Sequence, residues 1–152
     1  MKEITAIILM SISIIVPVLA QQSEQDITTV QPSVRFAPLH IYLDSGSRPL
    51  AAFQFELKAA AGQIKIVGVE GGQHAAFKEA PYYDKAALYK SNRIIIAAFN
   101  TGRELPKGRT RIATIHLQII GDAEPDYELK LTVAADANAK EIPAKITFEK
   151  GE

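Results

Sequence analysis

The sequence contains no cysteine and carries no net charge. Without cysteine, neither a disulfide framework nor a thiolate metal site can form. The 17 basic and 17 acidic side chains cancel, and removing an N-terminal leader that holds Lys2 and Glu3 leaves them balanced. A neutral domain lacks the long-range positive field that binding to nucleic acid normally needs, and it offers as little to an anionic membrane surface. We therefore expect a fold held together by packing alone, with no nucleic acid partner.

The recurrent motifs of catalysis are also missing from the sequence. There is no Gly-x-Ser-x-Gly motif, no cysteine nucleophile, and no glycine-rich phosphate loop before a helix. Glycoside hydrolysis would need two facing carboxylates, but Glu56 and Glu128 lie on the polar sides of predicted strands, where such residues keep a sheet soluble. We expect a protein that binds something and is not an enzyme.

The histidines and acidic residues do not have the spacing of a metal site. His40 and His116 fall on the polar sides of strand patterns, His74 falls in a loop, and none has a second ligand at a suitable offset. The acidic residues that alternate between positions 122 and 126 form too short a run for a calcium loop. No metal or other cofactor is expected.

The N-terminus has the character of an export signal. Residues 4–20 form an almost uninterrupted apolar run that ends in small residues and is followed at once by a polar segment. This pattern predicts a signal peptide over 1–20, cleaved near Ala20, and a secreted protein, extracellular or periplasmic. A run of 17 residues is also at the lower limit for spanning a bilayer, so an uncleaved membrane anchor is the alternative.

Apolar and polar residues alternate through most of the remaining chain. Residues 21–33 are polar, show no period and predict a flexible lead-in, so the folded domain is placed at 34–150. Period-2 alternation, separated by turn residues, predicts an all-β, two-sheet antiparallel β-sandwich of jelly-roll type. Pro143 makes the last strand an edge strand or places a bulge there. The seven predicted strands cover about 39–44, 51–58, 64–72, 94–99, 113–119, 127–133 and 142–149.

Two segments depart from simple alternation. Residues 73–92 predict a short irregular or helical insert, with a helical turn near 74–80 and a second helix or a short strand near 85–89. The insert contains Tyr82, Tyr83 and Tyr89, which either stack on sugar rings or anchor a protein, or simply plug the end of the sandwich. Residues 94–99 are apolar at every position, which indicates a central strand or one that is covered on both faces.

Several strand sequences resemble those of bacterial cohesin modules. They are Ala51-Ala-Phe-Gln-Phe-Glu-Leu57, the run from Ile64 to Gly72, Arg93-Ile-Ile-Ile-Ala-Ala-Phe-Asn100, and Gly108 followed by Ile112-Ala-Thr-Ile-His-Leu117. The resemblance extends from Val34 to about Glu149. It implies a jelly-roll sandwich that binds the dockerin modules of exported, often polysaccharide-degrading enzymes.

The resemblance also implies where a partner binds. Carried over by position, the protein-binding residues are Ala52, Gln54, Tyr89, Ile96, Ala98 and Asn100. This places Ile96 and Ala98 on the exposed side of their strand and Ile95, Ala97 and Phe99 on the other side. Cohesins share their fold with some cellulose-binding modules, so polysaccharide binding through Tyr82, Tyr83 or Tyr89 is the alternative. Cohesins commonly have Asn and Asp where this chain has Ala52 and Gln54, which favours a cohesin-like domain recruited to another exported complex.

Overall fold

The computed structural model describes residues 31–90 and 92–151, without the side chains of Ala87 and Lys90. The predicted signal peptide and anchor, residues 1–20, lie outside the described residues. Among the described residues, no helix is long and apolar enough to cross a membrane. The described strands are β1 (Val34–Asp44), β2 (Ala52–Ala61), β3 (Gln63–Gly71), β4 (Tyr82–Tyr83), β5 (Arg93–Phe99), β6 (Arg109–Ile120), β7 (Asp126–Ala135) and β8 (Lys145–Lys150).

These strands form two antiparallel four-stranded sheets, which confirms the predicted β-sandwich. The first sheet has the order β3-β6-β1-β8 and the second has the order β4-β5-β2-β7. All seven predicted strands are present, and the two-residue β4 is the addition. β8 is an edge strand, as Pro143 predicted, and it begins just after that proline.

The core consists of the inward-facing residues of both sheets. Alternation along β2 buries Phe53, Phe55 and Leu57, each at most 2% exposed, between outward-facing polar and small residues. The Phe53 ring stacks on Phe55 at 6.1 Å between centroids and meets the edge of Phe77 at 5.1 Å. This aromatic cluster joins β2 to the insert that follows β3.

The insert between β3 and β5 is short and mostly irregular. A 3₁₀ turn, Ala75–Phe77, confirms the helical turn predicted near 74–80, and a one-turn helix, α1 (Ala87–Lys90), overlaps the second predicted element. Between them, β4 adds to the edge of β5 through the pairs Tyr82 with Ala97 and Tyr83 with Ile96. The insert therefore supplies one edge strand of the second sheet.

Gly71, at the end of β3, allows the insert to fold back against the sheet. A Cβ atom at this position would lie 2.1 Å from the carbonyl oxygen of Lys78 and 2.5 Å from that of Glu79. We expect Gly71→Ala to lower the free energy of unfolding by about 1–3 kcal/mol, because backbone must move to admit the methyl group. Urea denaturation of the purified variant measures this loss.

The matched control is Gly68→Ala in the same strand, where the added Cβ would lie no closer than 3.8 Å to any atom of His116. That variant is expected to be neutral or slightly stabilising, since alanine restricts the unfolded chain. Equal stability of the two variants would contradict the close packing described at Gly71.

Candidate functional site

The outer face of the second sheet is built around β2. Ala52, Gln54, Glu56 and Lys58 alternate with the buried residues of this strand and therefore point away from the core. In an antiparallel pair, directly opposed residues point to the same side of the sheet. The register of β5 against β2 thus sets which β5 side chains are exposed, and these are Arg93, Ile95, Ala97 and Phe99.

Large apolar side chains are grouped on this outer face. Phe99 is 66% exposed and Ile95 is 39% exposed, although each lies in a regular strand. Tyr82 of β4 is 70% exposed, and its ring lies nearly parallel to that of Phe99, with 6.2 Å between the centroids. Val133 of β7, opposite Gln54, is 41% exposed. We call these four residues with Ala97 the outer apolar face.

One end of the same sheet surface is charged. Arg93 donates two hydrogen bonds to the Glu56 carboxylate, from Nε at 2.6 Å and from Nη2 at 3.0 Å. These bonds hold the pKa of Glu56 below its usual value and raise the pKa of Arg93. Lys58 pairs with Glu128 across β2 and β7 at 3.4 Å. Each positive side chain here is paired with a negative one. The charged end therefore marks the boundary of the apolar face without creating a strong electrostatic field over it.

The expected exposure of Ile96 is wrong. Ile96 is 0% exposed and Ala98 is half-buried, and both pack with the core. The physical reason is register: Ile96 lies opposite Phe55 and Ala98 lies opposite Phe53, so all four side chains point inward. Ile95 and Phe99, predicted to lie on the other side of the strand, are instead the exposed ones, so β5 is central in its sheet but is not covered on both faces.

The other residues of the predicted protein-binding set are dispersed. Ala52 and Gln54 lie on the outer face of the second sheet, as expected. The Asn100 side chain is engaged by the loops around it, donating to the Ala76 carbonyl at 2.9 Å and accepting from the Gly102 N–H at 2.6 Å. Tyr89 is 90% exposed on α1 and lines a cleft beside β3. Whether any of them binds a partner stays a prediction.

The three tyrosines of the predicted carbohydrate site do not share one surface. Tyr82 and Tyr83 are consecutive in β4, so they point to opposite faces of the sheet. Tyr82 joins the outer apolar face, whereas Tyr83 packs against the core. Tyr83 thus takes the plug role predicted for this loop, and binding through Tyr82 stays a prediction. Tyr89 lies apart from both on α1.

Two of the three histidines are hydrogen-bonded within the fold. His40 Nδ1 is 3.1 Å from the Thr114 hydroxyl, and His74 Nδ1 accepts from the Ala76 N–H. His116 Nε2 lies 3.0 Å from a Glu70 oxygen but makes no hydrogen bond. Within residues 31–90 and 92–151, no group of three or more His, Asp or Glu residues is arranged to hold a metal ion.

The acidic turn between β6 and β7 is tied to its surroundings. Glu124 pairs with Arg35 and with Lys150, and the bonds from these two cations hold the pKa of Glu124 below its usual value. Asp122 accepts from the Ser33 hydroxyl at 2.5 Å. These carboxylates connect the turn to both ends of the folded domain.

The comparison with known proteins bears on the fold. No protein-family model and no curated protein matches the sequence. Among solved structures, the chain is similar to a chain in the crystal structure of a dockerin–cohesin complex, CaDoc0917–CaCohA2, with a TM-score of 0.52. The match has 14% sequence identity and covers 73% of this chain and 82% of that chain. At this identity the likeness shows a shared β-sandwich fold.

Proposed function

We propose that this protein is a non-catalytic binding module that docks an exported protein partner on its outer apolar face. The observation that carries the proposal is the grouping of Tyr82, Ile95, Phe99 and Val133 on one side of one sheet. Contiguous exposed apolar groups rimmed by polar residues are typical of protein–protein interaction sites. Aromatic residues are common anchors of such sites because they bury a large area at little cost in side-chain entropy.

The partner that best fits this surface is a dockerin or another module with an apolar contact face. The similar solved structure is that of a cohesin–dockerin complex, and the strand sequences resemble those of cohesins. The face is formed by backbone-paired strands and is therefore rigid, so binding requires little reorganisation of this chain. Glu56 and Arg93 form a charged pair at the rim of the outer apolar face, where they can fix the orientation of the partner.

The place of action is part of the proposal. The N-terminal sequence predicts cleavage near Ala20 and export, with the uncleaved anchor as the alternative. An exported protein meets exported partners, which agrees with a docking role outside the cytoplasm. N-terminal sequencing of the protein recovered from its native host distinguishes a mature chain that begins near Gln21 from an uncleaved chain.

Docking is tested by placing a charge on the outer apolar face. We expect Ile95→Asp and Phe99→Asp each to weaken binding to a cognate dockerin module by about 30-fold or more, since a buried anchor is worth about 2 kcal/mol or more. Biolayer interferometry with the purified protein against a panel of dockerin modules measures this affinity.

The matched control is Val34→Asp, which adds the same charge at an apolar position of the first sheet that is 50% exposed. This variant is expected to keep full affinity. If Ile95→Asp and Val34→Asp bind equally well, the outer apolar face is not the docking surface. If no dockerin in the panel binds, the dockerin-type partner is ruled out. The outer apolar face would then remain the docking surface only if another exported partner is found whose affinity falls with Ile95→Asp.

A further inference from the structure

A second candidate surface lies along β3 of the first sheet, where two clefts meet at Val67. The first cleft, about 590 Å³, lies between β3 and α1 and is lined by Lys65, Val67, Lys85 and Tyr89 among others. The second cleft, about 460 Å³, continues on the outer face of the first sheet. Each volume is in the range that holds a small molecule or a few sugar rings.

A β-bulge creates the division between the clefts. Ile66 pairs with Leu117 and Gly68 pairs with His116, so Val67 is the extra residue in β3 and is 44% exposed. Gly68 has no side chain to fill the space above His116, which leaves the second cleft open.

The charges in the two clefts differ. Among the described residues, neither Lys65 nor Lys85 forms an ion pair, so the first cleft presents two ammonium groups without a bound carboxylate. Asp84, next to Lys85, accepts a hydrogen bond from the Ala86 N–H. In the second cleft a carboxylate oxygen of Glu70 is 3.0 Å from His116 Nε2, which makes no hydrogen bond. An anionic group therefore fits the first cleft, whereas neutral hydroxyl groups that can donate to Glu70 fit the second.

Exposed aromatic rings line both clefts. Tyr89 in the first cleft is 90% exposed, and Phe36 in the second is 70% exposed. Sugar rings have apolar C–H faces that pack on such rings, while their hydroxyl groups remain in water. Aromatic contacts together with a few charged groups are the usual composition of a small-molecule site.

The direction of the second cleft argues against an added peptide strand. Gly68, His116 and Pro38 lie side by side on β3, β6 and β1, so the cleft runs across the strands. A peptide that extended the sheet would instead run along the edge of β3, where it could form backbone hydrogen bonds. A ligand that crosses the strands obtains its contacts from side chains alone.

From these contacts we infer that the paired clefts bind an acidic oligosaccharide, with a uronate carboxylate between Lys65 and Lys85 and neutral sugar rings extending over Val67 toward Phe36. This site uses residues that are separate from the outer apolar face, so it does not depend on the proposed docking function. A protein with both surfaces would hold an exported partner close to an acidic glycan.

The test measures binding of an aldouronic acid, an oligosaccharide with one uronate and otherwise neutral sugar rings, to the purified protein by isothermal titration calorimetry. We expect Lys65→Gln combined with Lys85→Gln to weaken binding by about tenfold, as two exposed charge contacts of up to about 1 kcal/mol each allow. We also expect the affinity of the unaltered protein to fall as salt is raised. Gly68→Leu, which fills the second cleft, and Phe36→Ala are each expected to weaken binding as well.

Controls separate charge from shape. Lys107→Gln combined with Lys140→Gln removes two exposed lysines elsewhere and is expected to leave binding unchanged. The carboxyl-reduced form of the same oligosaccharide has the rings without the charge, and a glutamate peptide has carboxylates without the rings, and both are expected to bind more weakly. Equal affinity for either probe, equal loss in the two double variants, or no binding of the aldouronic acid would overturn the inference.

Discussion

Replacement of Ile96 by aspartate is expected to unfold the domain, whereas the same replacement at Ile95 is expected to leave it folded. Ile96 is completely buried opposite Phe55, so the carboxylate of an aspartate at this position would have neither water nor a cation to stabilise it. Burying an unpaired charge costs several kcal/mol, about 4–5 kcal/mol or more, which is a large part of the stability of a typical domain. Ile95 is 39% exposed, so an aspartate there can reach water.

This contrast is measured on soluble protein by near-ultraviolet circular dichroism and by urea denaturation. Ile96→Asp is expected to lose its tertiary signal or to be recovered as insoluble material, while Ile95→Asp keeps a cooperative transition close to that of the unaltered protein. The reverse pattern would show that β5 is turned by one residue relative to the register described above.

Replacement of Phe53 by alanine is expected to lower the free energy of unfolding by about 3–5 kcal/mol. Phe53 is 2% exposed and contacts both Phe55 and Phe77, so the alanine would leave a cavity between β2 and the insert. The loss includes the transfer of the ring to water and the contacts that its neighbours no longer make.

Urea denaturation with linear extrapolation measures this loss. The matched control is Phe36→Ala, since Phe36 is 70% exposed and its removal is expected to change stability by no more than about 0.5 kcal/mol. A near-neutral Phe53→Ala would mean that β2 faces the other way, with Gln54 and Glu56 in the core.

Much of the fold follows from local patterns that are visible in the sequence. Alternation along β2 is unambiguous because each outward position is small, polar or charged and each inward position is large and apolar. The same is true of the central part of β1, where Leu39, Ile41 and Leu43 are buried. Seven strands and the sandwich class were therefore predictable. The two-residue β4 was not, because its pairing with β5 leaves no periodic signal in so short a segment.

The candidate site was predictable only in part, and β5 shows why. Residues 94–99 are apolar at every position, so alternation gives no indication of which three face the core. The prediction placed Ile96 and Ala98 outward, and the pairing with β2 places them inward. Ala52 and Gln54 were correctly predicted to face outward because their neighbours Phe53 and Phe55 face the core. Lys65 and Lys85 gave no sequence signal as a pair, since 20 positions separate them and only the contact of α1 with β3 places them on one cleft.

The sequence by itself determined that this chain forms a β-sandwich without disulfides, because the absence of cysteine and the period of two are local facts. It also determined that one strand would be apolar on both faces. Only the tertiary structure decided which face of that strand meets solvent and which distant residues share a cleft. Those depend on register and on the bulge at Val67, which arise from pairing between strands far apart in the chain.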